Sequence, residues 1–258
     1  MAINPNKKEL IKNLLKKSIL EKFQTYKPET QNMPFHYRLL GKDRMYLYSF
    51  IQSLNTTFGT SIYEPVALEL AKDRFNVALT QVNAYPQISE GAQYTIQSLL
   101  DNLTSATRIP NKKEELGLLR QTCNKGVMRP VKLTRIDLWL ETFENEIYLM
   151  DMKTAKPNIG NFKEYKRTLL EWAASEMARN PDVKIHTLIA IPYNPYEPKP
   201  YDRWTLRGLF DLEYEILVGK ELWDFLGGEN SYDDLLDSFE LAGIELRPEI
   251  DRYFESFR

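Results

Sequence analysis

The most constraining feature of this sequence lies in its middle, where the apolar period drops from three or four residues to two. Near its end the stretch VKLTRIDLWLE alternates. Ile136, Leu138 and Leu140 point one way, and Asp137, Trp139 and Glu141 the other. A short polar turn, TFENE, follows. EIYLMDMKT then alternates again, with Ile147, Leu149, Asp151 and Lys153 on one face. Two strands joined by so short a polar link predict an antiparallel hairpin. Any fold that holds it must be built around a sheet.

The rest of the chain predicts what covers that sheet. In residues 5–26, Leu10, Ile11, Leu14, Leu15, Ile19 and Phe23 recur at helical steps with lysines between them. Helices are also expected over 42–57, over 64–82 with Pro65 in the first turn, over 92–104 and over 112–122. After the hairpin, Lys156-Pro157-Asn158-Ile159-Gly160 breaks the strand. A helix over 161–179, a buried strand over 184–192, a loop with four prolines, and a helical tail over 205–257 broken at Gly227-Gly228 complete the reading. Strand, strand, helix, strand inside a helical chain predicts one central mixed sheet flanked by helices, in a single α/β or α+β domain. Its parts are a helical N-terminal part (1–57), a core that carries the chemistry (58–204) and a helical acidic tail (205–258).

Composition narrows the chemistry. The chain has 258 residues, 43% apolar and 27% charged, an ordinary globular mix. One cysteine, Cys123, excludes an intrachain disulfide and a multi-cysteine zinc site, and two histidines, His36 and His186, argue against a His-rich metal centre. No apolar run reaches membrane-spanning length, and the lysine-bearing start lacks a signal-peptide core, so a cytoplasmic protein is expected. From Asp211 onward there are 14 acids and 4 bases, against 22 acids and 30 bases before it. A basic body with an acidic tail suits a polyanion on one face only, though on charge alone a tail of solvated amphipathic helices is the simpler account.

The hairpin carries the candidate chemistry. Two acids on neighbouring strands can hold a hard cation between carboxylate oxygens. A lysine two residues after the second acid shares its face and can stabilise phosphate charge or orient a water. Asp137, Asp151 and Lys153 fit that layout. Three other acid-x-lysine triplets do not. Glu164 and Lys166 lie in a helix, Glu197 and Lys199 lie in the proline loop, and Asp182 and Lys184 begin a strand with no second acid near in sequence. Strand-end carboxylates facing solvent are the plain alternative.

The acid, acid-x-lysine pattern resembles the PD-(D/E)xK nuclease core. More of the chain resembles the TdeIII-type restriction endonucleases, through FGTSIYEPVA at 58–67, IDLWL and DMKTAKPN within 136–158, IAIPYNPYEPKPYDRW at 189–204, and LWDFLGGENSYDDLL with GIELRPEID in the tail. The resemblance implies Mg²⁺-dependent cleavage of double-stranded DNA, with Mn²⁺ able to substitute, at the site GGNCC. It also implies a companion methyltransferase as a genetic partner. A palindromic site calls for a two-fold homodimer. The proline that usually precedes the first acid is absent before Asp137.

Asp137 and Asp151 are then the expected metal ligands, with the Met152 carbonyl a third oxygen, and Lys153 the phosphate or water contact. Glu64 is a further candidate, because related nucleases often bring a helical glutamate to the metal; Glu69 is the fallback, and a favourable acid at a helix start the plain alternative. Lys156 and Asn158 follow the catalytic strand. Lys163, Lys166 and Arg167 oppose the dipole of the next helix, so phosphate contact is one explanation for them and solvation the other. Tyr193, Asn194, Arg203 and Arg207, in and after the proline loop, are candidate DNA contacts, Arg203 foremost. The competing functional classes are a nucleic-acid-binding module that does not cut, and a repair or nicking nuclease with the same core.

Overall fold

A computed structural model of the protein describes residues 3–27, 33–157, 159–201 and 208–255. Its centre is a five-stranded mixed sheet. In spatial order it contains β1 (Val77–Val82), β4 (Ile136–Glu141), β5 (Glu146–Met152), β6 (Lys184–Ile191) and β7 (Ile216–Val218). The first three strands are antiparallel neighbours; β5, β6 and β7 run parallel. A separate two-stranded ribbon pairs β2 (Gln87–Ser89) with β3 (Met128–Pro130). The expected hairpin is present as β4 and β5, with Leu138 opposite Met150 and Trp139 opposite Leu149.

The inner strands of the sheet are buried on both faces, which is why they carry so few polar residues, while the edge strand β1 is partly exposed. One face is covered by α5 (Glu90–Thr104), α6 (Lys112–Thr122) and α7 (Phe162–Arg179), and holds Trp139, Ile147, Leu149, Ile185 and Ile189. The other is covered by α1 (Pro5–Thr25), α4 (Glu64–Ala71), α8 (Lys220–Gly227) and α9 (Ser231–Glu245), and holds Leu138, Leu140, Met150, Leu188 and Ala190. Each fully buried leucine contributes about 1.5–3 kcal/mol to this packing. Ile136 departs from the expected alternation. It packs with Trp139, not with Leu138, and its partner Val82, which follows Gln81 at φ +56°, joins the same layer.

Helices α2 (Pro34–Leu40), α3 (Lys42–Thr57) and α10 (Arg247–Glu255) complete the fold. The expected helix over 64–82 is corrected. It stops at Ala71, the chain turns through 72–76, and 77–82 is the edge strand β1. The helical tail is corrected too, since Ile216–Val218 joins the sheet. The break at its two glycines is real. Gly228, at φ +99°, ends α8, and its N–H donates to the Asp224 carbonyl at 2.9 Å.

The charge asymmetry along the chain is partly satisfied internally. Lys8 pairs with Asp234 at 2.5 Å, and Lys12 and Lys16 both pair with Glu245 at 2.6 Å, so the lysines of α1 meet the acids of α9. The Ile3 N–H also donates to Asp234 at 3.0 Å. Among the described residues no helix is long and apolar enough to cross a membrane.

Candidate active site

Two strand ends and one helix start build the site. One residue beyond the Leu138–Met150 pair, Asp137 comes against Asp151, and between the Thr80–Leu138 and Val82–Ile136 pairs Gln81 comes against Asp137. Gln81, Asp137 and Asp151 therefore sit side by side across three strands at one end of the sheet. Asp151 is 3% exposed, the penultimate residue of a strand whose Ile147, Leu149 and Met150 fill the core. The Met152 N–H donates to Asp137 Oδ2 at 2.8 Å, which ties the first acid to the second strand.

Lys153 continues the β5–β6 ladder through its N–H to the Ala190 carbonyl, 2.9 Å. Its ammonium donates to Asp151 Oδ1 at 2.5 Å and lies 4.5 Å from the centre of the Tyr165 ring. Strand geometry and the aromatic face thus hold the cation over the carboxylate. Burial pushes the Asp151 carboxyl up to about 7. Lys153 pulls against that shift, and the neighbouring Asp137 adds to it.

Glu64 reaches the same place from the opposite side of the chain. Sequence reading gives it a Gly-Thr-Ser turn to follow. The structure instead runs α3 through a π-helical segment, Phe58–Tyr63, directly into α4. In such a wide turn residues five apart come into register, and Phe58 stacks on Tyr63 with ring centres 5.5 Å apart. The segment delivers Glu64 to a buried position, 6% exposed. Burial raises its carboxyl, and the Asp137 charge adds to the rise; a hydrogen bond from Gln81 opposes it. The Gln81 Nε2 donates to Glu64 Oε2 at 2.8 Å and to Asp137 Oδ1 at 3.1 Å. The fallback Glu69 is turned elsewhere and pairs with Lys72 at 2.5 Å.

Gln81 is the site residue that sequence reasoning missed, because 64–82 reads as one helix. Its signal was a two-residue period, which sets Val77, Leu79 and Gln81 on one strand face. Among the described residues no three His, Cys, Asp or Glu side chains are already grouped as a metal cage. What is present is a pair of facing aspartates, with Glu64 joined to them through an amide.

The candidate DNA contacts divide. Lys166 is corrected: it is fully buried, with its ammonium 2.6 Å from both Glu115 and Glu215, so it touches no phosphate. Glu215 also binds Lys112 at 2.8 Å, and Lys112 donates to Thr187 at 2.6 Å. This buried quartet pins α6 and α7 to the segment that enters β7. Lys163 faces Asp101 of α5 at 3.6 Å, and Arg167 donates to Gln97 of α5 at 2.9 Å. The opposition to the helix dipole is thus accounted for by acids and amides on neighbouring elements.

Lys156 is exposed, its ammonium 5.3 Å from the Tyr196 ring centre. With Asn55, Phe58, Tyr63, Thr154 and Tyr193 it lines an open cleft of about 700 Å³ that begins one residue past Lys153. Asn194 shapes the proline loop. It accepts from the Tyr196 N–H at 2.9 Å and donates to the Lys199 carbonyl at 2.7 Å. Asn158, Arg203 and Arg207 lie outside the described residues.

Comparison with known proteins converges on one class. The family described as type II restriction endonuclease, HinfI, matches residues 3–243. The type II restriction enzyme HgiCII of Herpetosiphon aurantiacus is 25% identical over 221 residues, covering 84% of this chain and 80% of that protein. The type II restriction enzyme MjaII of Methanocaldococcus jannaschii is 28% identical over 266 residues, covering 88% and 70%. The type II restriction enzyme HgiEI of Herpetosiphon aurantiacus is 23% identical over 272 residues, covering 97% and 98%. A mixed sheet with helices on both faces, an acid-lysine site at its strand ends and a family match over nearly the whole chain agree, and the chain belongs to the HinfI-type family of type II restriction endonucleases, site-specific deoxyribonucleases that act on double-stranded DNA.

Proposed function

We propose that the chain cuts DNA by a Mg²⁺-dependent PD-(D/E)xK mechanism, with Asp137, Asp151 and Glu64 as the metal-binding carboxylates and Lys153 as the phosphate-side cation. The observation that carries the reading is the meeting of Asp137 and Asp151 at the end of the β4–β5 hairpin, with Lys153 bonded to the second acid. The donor set consists of oxygens alone, which suits a hard divalent ion and disfavours zinc. Such an ion, when bound, supplies a polarised water and neutralises charge that builds on the scissile phosphate. Asp137 and Asp151 would share its charge, which would relieve the mutual repulsion that adds to the raised Asp151 carboxyl. Lys153, bonded to Asp151 at the strand end, would stabilise the phosphate or orient the water.

The recognition reading is finer. The TdeIII-type stretches favour the palindrome GGNCC, a homodimer with one active site per strand, and protection of host DNA by a companion methyltransferase. The cleft beside Lys153, with Lys156 and Tyr193 on its wall, suits the flanking backbone. Asn158, Arg203 and Arg207 are candidate readers of backbone or bases, while Lys163 and Arg167, already held by α5, are the weaker candidates for phosphate contact.

Digestion of long unmethylated duplex DNA, with and without Mg²⁺ and beside Lys153→Ala, tests this. Discrete fragments that need both Mg²⁺ and Lys153 support it, and sequencing of their ends gives the site. Full activity in Asp151→Ala overturns the ligand assignment. Fragments without a common end sequence favour the nicking or repair nuclease.

A further inference from the structure

Gln81 is placed unlike any other residue of its strand. Its backbone sits at φ +56°, a region that costs a non-glycine residue about 1 kcal/mol or more. The strand pairs normally on either side of it, Thr80 with Leu138 and Val82 with Ile136. The cost is therefore confined to one residue, and that residue's amide meets both Glu64 and Asp137. The two N–H bonds of one NH₂ group satisfy one oxygen of each carboxylate. Asp137 Oδ2 is held separately by the Met152 N–H. Each carboxylate oxygen accepts more than one bond, so lone pairs remain for a cation.

We propose that Gln81 is a positioning residue for the metal site, acting from outside the ligand sphere. Its amide turns Glu64 and Asp137 toward one centre and keeps them there before the ion arrives. This rests on the reading that Asp137 and Glu64 bind the metal. Glu64 rides on α4 and Asp137 on β4, and the amide is the hydrogen-bonded link between the two side chains. Without it the two acids lose their shared donor and are free to turn apart. Groups that orient metal ligands in this manner typically contribute about 10–100-fold in affinity.

The test is Mn²⁺ binding to the DNA-free protein, followed by the electron paramagnetic resonance signal of free Mn²⁺. Gln81→Gly is the decisive variant, because glycine accepts the positive φ and so removes the amide without adding backbone strain. Gln81→Leu keeps the bulk and loses the amide. The expected result is a melting temperature for Gln81→Gly no lower than the parent's, and Mn²⁺ binding about 10–100-fold weaker in both variants. In cleavage assays the Mg²⁺ concentration for half-maximal rate rises by the same factor, while the KM for DNA holds. Asp137→Ala separates the two readings. If Asp137→Ala loses Mn²⁺ and folded Gln81→Gly binds it as well as or better than the parent, the positioning role is overturned and the metal assignment stands. If Asp137→Ala binds Mn²⁺ like the parent, the metal assignment falls, and the role of Gln81 with it.

Discussion

Asp151 and Lys166 are both buried charges, with opposite consequences. Asp151 in the metal-free fold keeps its proton up to about pH 7, whereas the unfolded chain releases it near 3.8. Between those values the folded state binds more protons, so stability falls as pH rises from about 4 to about 7 and levels off above. The difference sets a ceiling of about 4 kcal/mol. Metal-free Asp151→Asn is expected to be more stable than the parent at pH 8 and to lose most of that advantage by pH 5, as read by urea unfolding. An advantage that does not change with pH contradicts this origin. Lys166 is a cation between two buried acids. Lys166→Met leaves Glu115 without its partner and is expected to cost about 3–5 kcal/mol of stability, while the salt dependence of DNA binding keeps its slope. The acid-lysine hairpin was legible because its chemistry is written in a period of two along adjacent strands. The setting of Lys166 was not, because Glu115 and Glu215 are 51 and 49 residues away and nothing local marks them as its partners.

Among the elements, the segment from Lys42 to Val82 carries the lesson. Helix α3 has the bounds its periodicity predicts, and α4 begins where Pro65 marks a first turn. The π-helical segment between them has no sequence signature, and its Gly-Thr-Ser reads as a turn. Strand β1 was hidden because Val-Ala-Leu-Thr-Gln-Val follows the helix without glycine or proline, through Lys72-Asp73-Arg74. The three-residue strands β2, β3 and β7 are too short for any period to register. The π-helical segment makes an element-scale prediction. Removing Thr60 takes one residue from the run and turns Glu64 by about 100° relative to α3. Cleavage is expected to fall about 100-fold or more with the circular dichroism spectrum retained. Undiminished cutting means that Glu64 plays no part.

At the scale of the molecule, the sheet separates two apolar layers that share no side chain. Ile11, fully buried on α1, packs in the layer of α4, α8 and α9. Ile11→Ala is expected to cost about 2–5 kcal/mol, with hydrogen exchange accelerated in α9 and α4 and little changed in α5 and α7. Uniform acceleration across both layers would show that they open as one. The docking of α1 on α9 also has a consequence in time. Their contacts join residues more than two hundred positions apart, such as Lys8 with Asp234. On the ribosome the stripe of Ile11 and Leu15 waits, without its permanent cover, until the α9 segment has emerged. Helix α4 belongs to that same late layer. In a growing chain the β4–β5 hairpin with its two aspartates can therefore form before α4, and Glu64 with it, gains its permanent cover.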